Sequence, residues 1–386
     1  MRIHLALTDD WELRGNGSGD IEQIQFRAMQ KLLDLYDSHG VKSTFNAEVM
    51  QQLTFRKLQH THPQLKPLAD AWDEHVRLAY TRGHDIQLHI HPQWSRFTFE
   101  NDRWKLAGDW SLLNYEPEAA FAMLSASKAY LEETLKPIDP NYRCLSFRSG
   151  SSAIAPSPFV LRQLADLGIV FDMSLIQGLR VNTRNLKLDY TRCDEGFLPF
   201  YPRLEDARRM STKIEPIVCV PIFSFDLSRR RCAAEVMAKV RAKLLSRNSH
   251  GTSNDSYASQ EWDDVGRSSL PAKVYDKVVQ PCLQGKHIVA DIGRLDFPSL
   301  REMLDAIRTA AHKSNQQEAW VVLTNHSKYI SDFSHIDRFL REARKYDDID
   351  FVTLSTIAKE IRAGRVEIKI NRQDETIPNK QPADRQ

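Results

Sequence analysis

Short apolar runs alternate along the chain with longer stretches in which apolar residues recur every three or four positions. Residues 2–8 form a first short strand, and the loop Gly15-Asn16-Gly17-Ser18-Gly19 follows it. Asp20 is placed to cap the next helix, with Gln23 at the capping-box position. Ile21, Ile24, Met29, Leu32, Leu33 and Tyr36 supply that helix with an apolar stripe, and Gly40 ends it. The same rhythm predicts strands at 41–45, 85–91, 143–148, 169–174, 217–225, 287–292, 319–325 and 349–353. It predicts helices at 64–82, 117–135, 157–167, 232–245, 298–312, 335–345 and 355–363. Short strands alternating with helices imply βα units and a mainly parallel sheet, and a count of about seven or eight such repeats favours a barrel over an open sheet.

A parallel α/β protein builds its site at the carboxyl ends of its strands. Four strand ends here carry polar or ionisable residues: Asp9-Asp10-Trp11-Glu12, His89-Ile90-His91, Arg148-Ser149 and Asn325-His326. The third strand says most. Ile86, Leu88 and Ile90 take one face, and Gln87, His89 and His91 take the other, because strand side chains alternate with period two. Two imidazoles on one face can share a metal ion. A carboxylate from Asp9 or Asp10 would complete a two-histidine, one-carboxylate set suited to zinc, iron, cobalt or nickel. Adjacent aspartates cannot share a face of a regular strand, so a bend after Thr8 is needed if both are to reach the site. Trp11, Trp94, Phe97, Phe99, Trp104 and Trp110 would ring its rim.

Composition narrows the class. Of 386 residues, 41% are hydrophobic and 27% charged, and 53 basic against 51 acidic residues leave a net charge of +2. That balance is globular and gives no reason to propose nucleic acid as partner. No run approaches the ~20 apolar residues of a membrane helix. Five cysteines, an odd number without CxxC spacing, suggest neither a disulfide framework nor a structural zinc knot, so a reducing cytoplasm is expected. Residues 1–364 read as one barrel domain with an irregular insertion at about 176–285, which includes a polar surface loop at 246–270. Residues 365–386 read as a flexible polar tail, expected to be disordered.

These motifs, in this order, resemble the polysaccharide deacetylases, the NodB-like carbohydrate esterases, and within them look most like the WalW-like branch. The resemblance spans about residues 1–175 and 315–363. It rests on Leu7-Thr8-Asp9-Asp10, Ser43-Thr44-Phe45-Asn46, Arg82-Gly83-His84-Asp85-Ile86-Gln87-Leu88-His89, Phe147-Arg148-Ser149-Gly150, Leu323-Thr324-Asn325-His326 and Phe351-Val352-Thr353-Leu354. It implies a distorted (β/α)7 barrel and one divalent metal, zinc first, with cobalt, nickel or iron as alternatives. The implied reaction is removal of an N-acetyl or O-acetyl group from an amino-sugar glycan or its cytoplasmic precursor.

By resemblance Asp9 is the general base, Asp10 and His89 are metal ligands, Arg148 holds the base, and His326 is the general acid. The family's second histidine falls at Gln93, so His91 is the available substitute. Asp226 or Asp291 would tune His326. Two rivals stay open: a metal-dependent hydrolase of another small C–N amide, and a non-catalytic glycan-binding protein with a decayed site.

Overall fold

The computed structural model describes residues 1–246, 279–330 and 332–372. Its elements run β1 (Arg2–Trp11), α1 (Arg27–Ser38), β2 (Thr44–Glu48), α2 (Val49–Leu58), α3 (Leu65–Thr81), β3 (Asp85–Ile90), α4 (Pro117–Leu135), β4 (Ser146–Ser149), α5 (Val160–Asp166) and β5 (Phe171–Asp172). They continue with β6 (Val218–Cys219), β7 (Ser224–Leu227), α6 (Arg229–Ser246), β8 (Lys286–Val289), α7 (Phe297–Lys313), β9 (Glu318–His326), α8 (Ser334–Ala343), β10 (Ile349–Val352) and α9 (Leu354–Arg362). Eight strands form one parallel sheet in the order β6-β5-β4-β3-β2-β1-β9, with β10 also beside β1. Strand β1 pairs with β10 along Ile3–Ala6 and with β2 along Thr8–Trp11, so two partners share one of its edges. Single bridges Ile176↔Ile222 and Ile222↔Val322 carry the curl round to β9. The result is a distorted (β/α)7-type barrel, as expected.

The strands are buried on both faces, as parallel strands covered by helices must be. Their alternation sorts two cores. Ile3, Leu5, Leu7 and Trp11 pack outward with Met29, Leu32 and Tyr36 of α1 and Trp72 of α3. Ala6, Phe171, Val218, Ile222 and Val322 point inward and meet Leu354, Ile357 and Ala358 of α9. Helix α9 therefore closes one end of the barrel. Its Ser355 N–H and hydroxyl donate to the Asp85 carboxylate at 2.8 Å each, and Thr44 Oγ1 and Gln87 Nε2 add further bonds to it. An acid at a helix N-terminus offsets its unpaired N–H groups and the positive end of its dipole.

The amphipathic helix α3 and the more evenly apolar helix α4 lie within a residue of the predicted spans. Helix α2 was not predicted. The region predicted as one strand at 217–225 divides: β6 joins the barrel, while β7 leaves it to pair antiparallel with β8, so part of the predicted strand 287–292 lies in a separate two-stranded sheet instead. Phe225 and Ile288 sit opposite each other in that two-stranded sheet, and Asp291 just beyond it bridges to Thr324 of the barrel. The chain also stays packed past 364. Val366 is buried, and Lys369 exchanges backbone bonds with the Pro199–Tyr201 segment. Residues 247–278, which hold most of the predicted surface loop, and 373–386 of the predicted tail lie outside the described residues. Among the described residues no helix is long and apolar enough to cross a membrane.

Candidate metal centre

Strand register builds the site. Across the sheet Asp10 is level with His326 on β9 and Asn46 on β2, Glu48 of β2 is level with His89 of β3, and His89 with Arg148 of β4. All six are on inward-facing positions at the carboxyl ends of their strands. Glu12 follows two residues after Asp10, on the same side by the same alternation.

The His89 and His91 rings stand 4.8 Å apart, edge to face. Both Nε2 atoms approach Glu12 Oε2, His89 at 3.3 Å and His91 closer. Glu48 completes the group: Glu12, Glu48, His89 and His91 each bring one ligand-type atom within 4.8 Å of the others. A second set, Asp10, Glu12 and His326, meets the same criterion, so Glu12 belongs to both.

The cluster suits a divalent cation. His89 Nδ1 lies 2.9 Å from the Arg148 carbonyl, so this nitrogen carries the proton and Nε2 faces the cluster, the orientation a metal-binding imidazole needs. Glu48 Oε2 is buried and has no hydrogen-bond partner. Its other oxygen accepts from the Gln51 amide and caps α2. The cluster's donors are mixed, two imidazole nitrogens and two carboxylate oxygens. Gln93, at the place the family resemblance gives a histidine, has its amide nitrogen 2.8 Å from His91 Nδ1 and 3.1 Å from the Gly15 carbonyl. It braces the His91 ring.

Electrostatics divide the acids. Burial favours a neutral Glu12, yet His91 and Lys328, whose Nζ lies 2.9 Å from Oε1, hold it well below the usual carboxylate range. Burial likewise opposes a charged Asp10, and Arg148 at 2.7 Å outweighs it, with His89 and His326 adding to the effect. Burial alone dominates at Glu48, whose pKa rises to about 7. His89 is lifted to about 9, because Asp10 and Glu12 overcome the burial that disfavours its charge.

Asp9 lies elsewhere. Strand β1 runs to Trp11 and keeps regular register with β9 through Asp10, without the bend after Thr8 that would bring both aspartates inside. Asp9 points outward into the helix layer, where Tyr36 Oη donates to it at 3.2 Å and Asn325 Nδ2 donates as well. Burial raises its pKa to about 7. Arg148 pairs with Asp10 rather than Asp9. His326 holds Asp10 Oδ2 at 3.3 Å through Nε2, and its Nδ1 meets Asp291 at 2.8 Å. The other candidate, Asp226, pairs with His287.

A cleft of about 550 Å³ opens over this floor. Asp10, Glu12, His89, His91, Arg148 and His326 all line it. Of the aromatic residues expected at the rim only Trp110 does. Trp94 is buried, Trp104 stacks on Phe55 at 5.4 Å and packs at a tilt on Phe99 at 4.3 Å, and Trp11 packs on Trp72 at 5.2 Å. Sequence reading missed Glu12 and Glu48 as cluster members, and Lys328 as the partner of Glu12. The spacing Asp10-x-Glu12, matching His89-x-His91, was the available signal for the first.

No protein-family model matches the chain, and no curated protein matches it. Solved structures resemble it in fold. A Mycobacterium smegmatis protein described provisionally as a polysaccharide deacetylase aligns at 15% identity over 96% of this chain and 93% of its own, with a TM-score of 0.49. The probable polysaccharide deacetylase of Pseudomonas aeruginosa PAO1 aligns at 13% identity over 95% and 93%, TM-score 0.48. The PuuE allantoinase aligns at 12% identity over 94% and 91%, TM-score 0.46.

Proposed function

We propose that the protein is a metal-dependent hydrolase that removes an acetyl group from an amino sugar, in the manner of the WalW-like polysaccharide deacetylases it resembles in sequence. One observation carries the reading: a buried two-histidine, two-glutamate cluster, three of whose members (Glu12, His89 and His91) line a cleft, lies beside an ionised aspartate and a carboxylate-oriented histidine. A structural ion pair needs no such convergence under open space.

His89, His91 and Glu12 would hold the metal, with Glu48 as the fourth donor. Bound there, a divalent ion supplies Lewis acidity toward an acyl carbonyl and lowers the pKa of water. Asp10 takes the base role that the resemblance placed at Asp9, since Arg148 keeps it ionised and it faces the cleft. It accepts the proton of the attacking water. His326 Nε2 points to the same space, and Asp291, 2.8 Å from Nδ1, orients the ring. It returns a proton to the leaving nitrogen, which departs as the free amine while acetate is formed. A cleft of about 550 Å³ falls within the ~300–1,000 Å³ of small-ligand sites, so one or two sugar units would enter at a time. We place the reaction in the cytoplasm, on a glycan precursor, where five cysteines present as thiols suit the medium.

The test measures metal per chain and acetate released from N-acetylated sugars. Wild type should bind about one zinc or cobalt, His91→Ala and Glu12→Gln should lose it, and His326→Ala should keep the metal and lose turnover by ~10²-fold or more. Wild type without metal affinity, or a fully active His326→Ala, would overturn the reading.

A further inference from the structure

We propose that the mouth of the cleft is an oxyanion site, so that the substrate carries a phosphate or carboxylate besides its acyl group; this deepens the hydrolase reading and rests on it for the acyl group alone. The floor of the cleft is balanced in charge. Arg148 is neutralised by Asp10, Lys328 by Glu12, and Asp291 is engaged by His326. The remaining charged lining residues are Arg180, Lys286 and Arg294, all exposed and all positive.

They come from three separate segments. Arg180 opens the short hairpin after β5, Lys286 starts β8, and Arg294 lies in the loop before α7. Among the described residues neither Lys286 nor Arg294 has an ion-pair partner. Arg294 lies over the Tyr329 ring, 4.2 Å from its centroid, which fixes its guanidinium plane and leaves its fork to solvent. Among the described residues the ion-pair partner of Arg180 is Asp189, 3.8 Å away, between side chains that are mostly exposed. Such a pair contributes little. Three cations converging on one concave rim, with no acid among the lining residues left to answer them, focus a positive field on whatever enters. A neutral acetylated sugar makes no use of that field. An oxyanion does, and the guanidinium fork matches it with two parallel bonds.

The experiment is calorimetric titration of the metal-loaded protein at 20 mM and 300 mM NaCl. The probes are N-acetylglucosamine, N-acetylglucosamine 1-phosphate, N-acetylmuramic acid and inorganic phosphate. At low salt an anionic sugar should bind roughly tenfold or more tightly than the neutral one, and the preference should shrink at high salt. The phosphate and carboxylate probes separate the two sources of the anion. Lys286→Ala with Arg294→Ala should abolish the preference, leaving affinity for N-acetylglucosamine and metal content unchanged. Lys286→Glu should weaken anion binding further than Lys286→Ala. Equal affinity for neutral and anionic sugars, binding of neither, or a preference that survives the double variant would overturn the proposal; the last would place the anion on the metal. Absence of acetate release with the preference intact would remove the hydrolase reading and leave the oxyanion site standing.

Discussion

Acidification from pH 7 to pH 4 should draw a stability loss from His84, at the entry to β3 and away from the cleft. The ring is buried. Its Nδ1 accepts from the Ser43 amide at 3.2 Å, so the neutral tautomer carries its proton on Nε2, 3.1 Å from Asp37. A second proton on Nδ1 would break the Ser43 bond. Burial lowers the pKa, Asp37 opposes this, and Lys42 and Arg82, which already share Asp37, bring it down again, to about 4 from 6.5. The unfolded chain protonates His84 below about 6.5 while the folded chain does not, so stability falls from pH 6.5 to about 4 and is level below that. At about 1.4 kcal/mol per pH unit the full loss is roughly 3 kcal/mol. Asp9, Glu48 and Asp172, each raised to about 7 by burial, gain stability over the same range as they take up protons, so the wild-type curve alone hides the effect. The assay is therefore a difference: urea unfolding of wild type and His84→Asn, which keeps an acceptor for the Ser43 amide, at pH 4, 5, 6 and 7.5. Wild type should lose roughly 3 kcal/mol relative to the variant between pH 6.5 and 4. A difference that does not change with pH would refute the reasoning.

Asp9→Asn should keep metal binding and nearly all turnover. Because the buried carboxylate has its pKa raised to about 7, the variant should also gain on wild type in urea unfolding from pH 5 to pH 8. A loss of ~10²-fold in turnover, the scale of a removed general base, would return that role to Asp9. Lys328→Met leaves Glu12 without its ammonium partner and should cost up to about 3–5 kcal/mol in the metal-free protein. Zinc should raise the melting temperature more in this variant than in wild type, and an equal rise would show that Lys328 does not compete with the metal. Trp72→Ala, at a fully buried ring packed on Trp11 and Tyr130, should cost about 3–5 kcal/mol in urea unfolding, and under 1 kcal/mol would mean the layer collapses around the gap.

Helix α3 was legible because a continuous apolar stripe needs no knowledge of its partner, and Gly83 and Pro117 mark the stop of α3 and the start of α4. Strand β3 was legible because its alternation separates Ile86, Leu88 and Ile90 from His89 and His91. Helix α2 was hidden: its cap is a glutamate, an uncommon residue for that position, and Gln51 and Gln52 interrupt its stripe while being buried by tertiary bonds to Gln25 and Asp73. The departure of β7 from the barrel was hidden for a related reason. An apolar run does not say which edge will receive it, and the antiparallel partner lies some sixty residues away along the chain.

The placement of the acids on β1 follows from one geometric rule. Residues at odd positions of β1 enter the helix layer and those at even positions enter the barrel, and β9 follows the same phase, with Asn325 outside and His326 inside. An aspartate pair at adjacent positions must then split between the two environments unless the strand breaks. It does not break, because nine consecutive register pairs tie β1 to β9 from Arg2 to Asp10. Asp10 therefore meets Arg148 and His326, while Asp9 meets Tyr36 and Asn325. Spacing by two does what spacing by one cannot. Asp10 with Glu12, Asn46 with Glu48, and His89 with His91 form three inward ladders, and their upper members, Glu12, Glu48 and His91, meet at His89. A polar residue repeated at i and i+2 across several parallel strand ends is therefore the stronger sequence sign of a shared site than a polar pair at i and i+1.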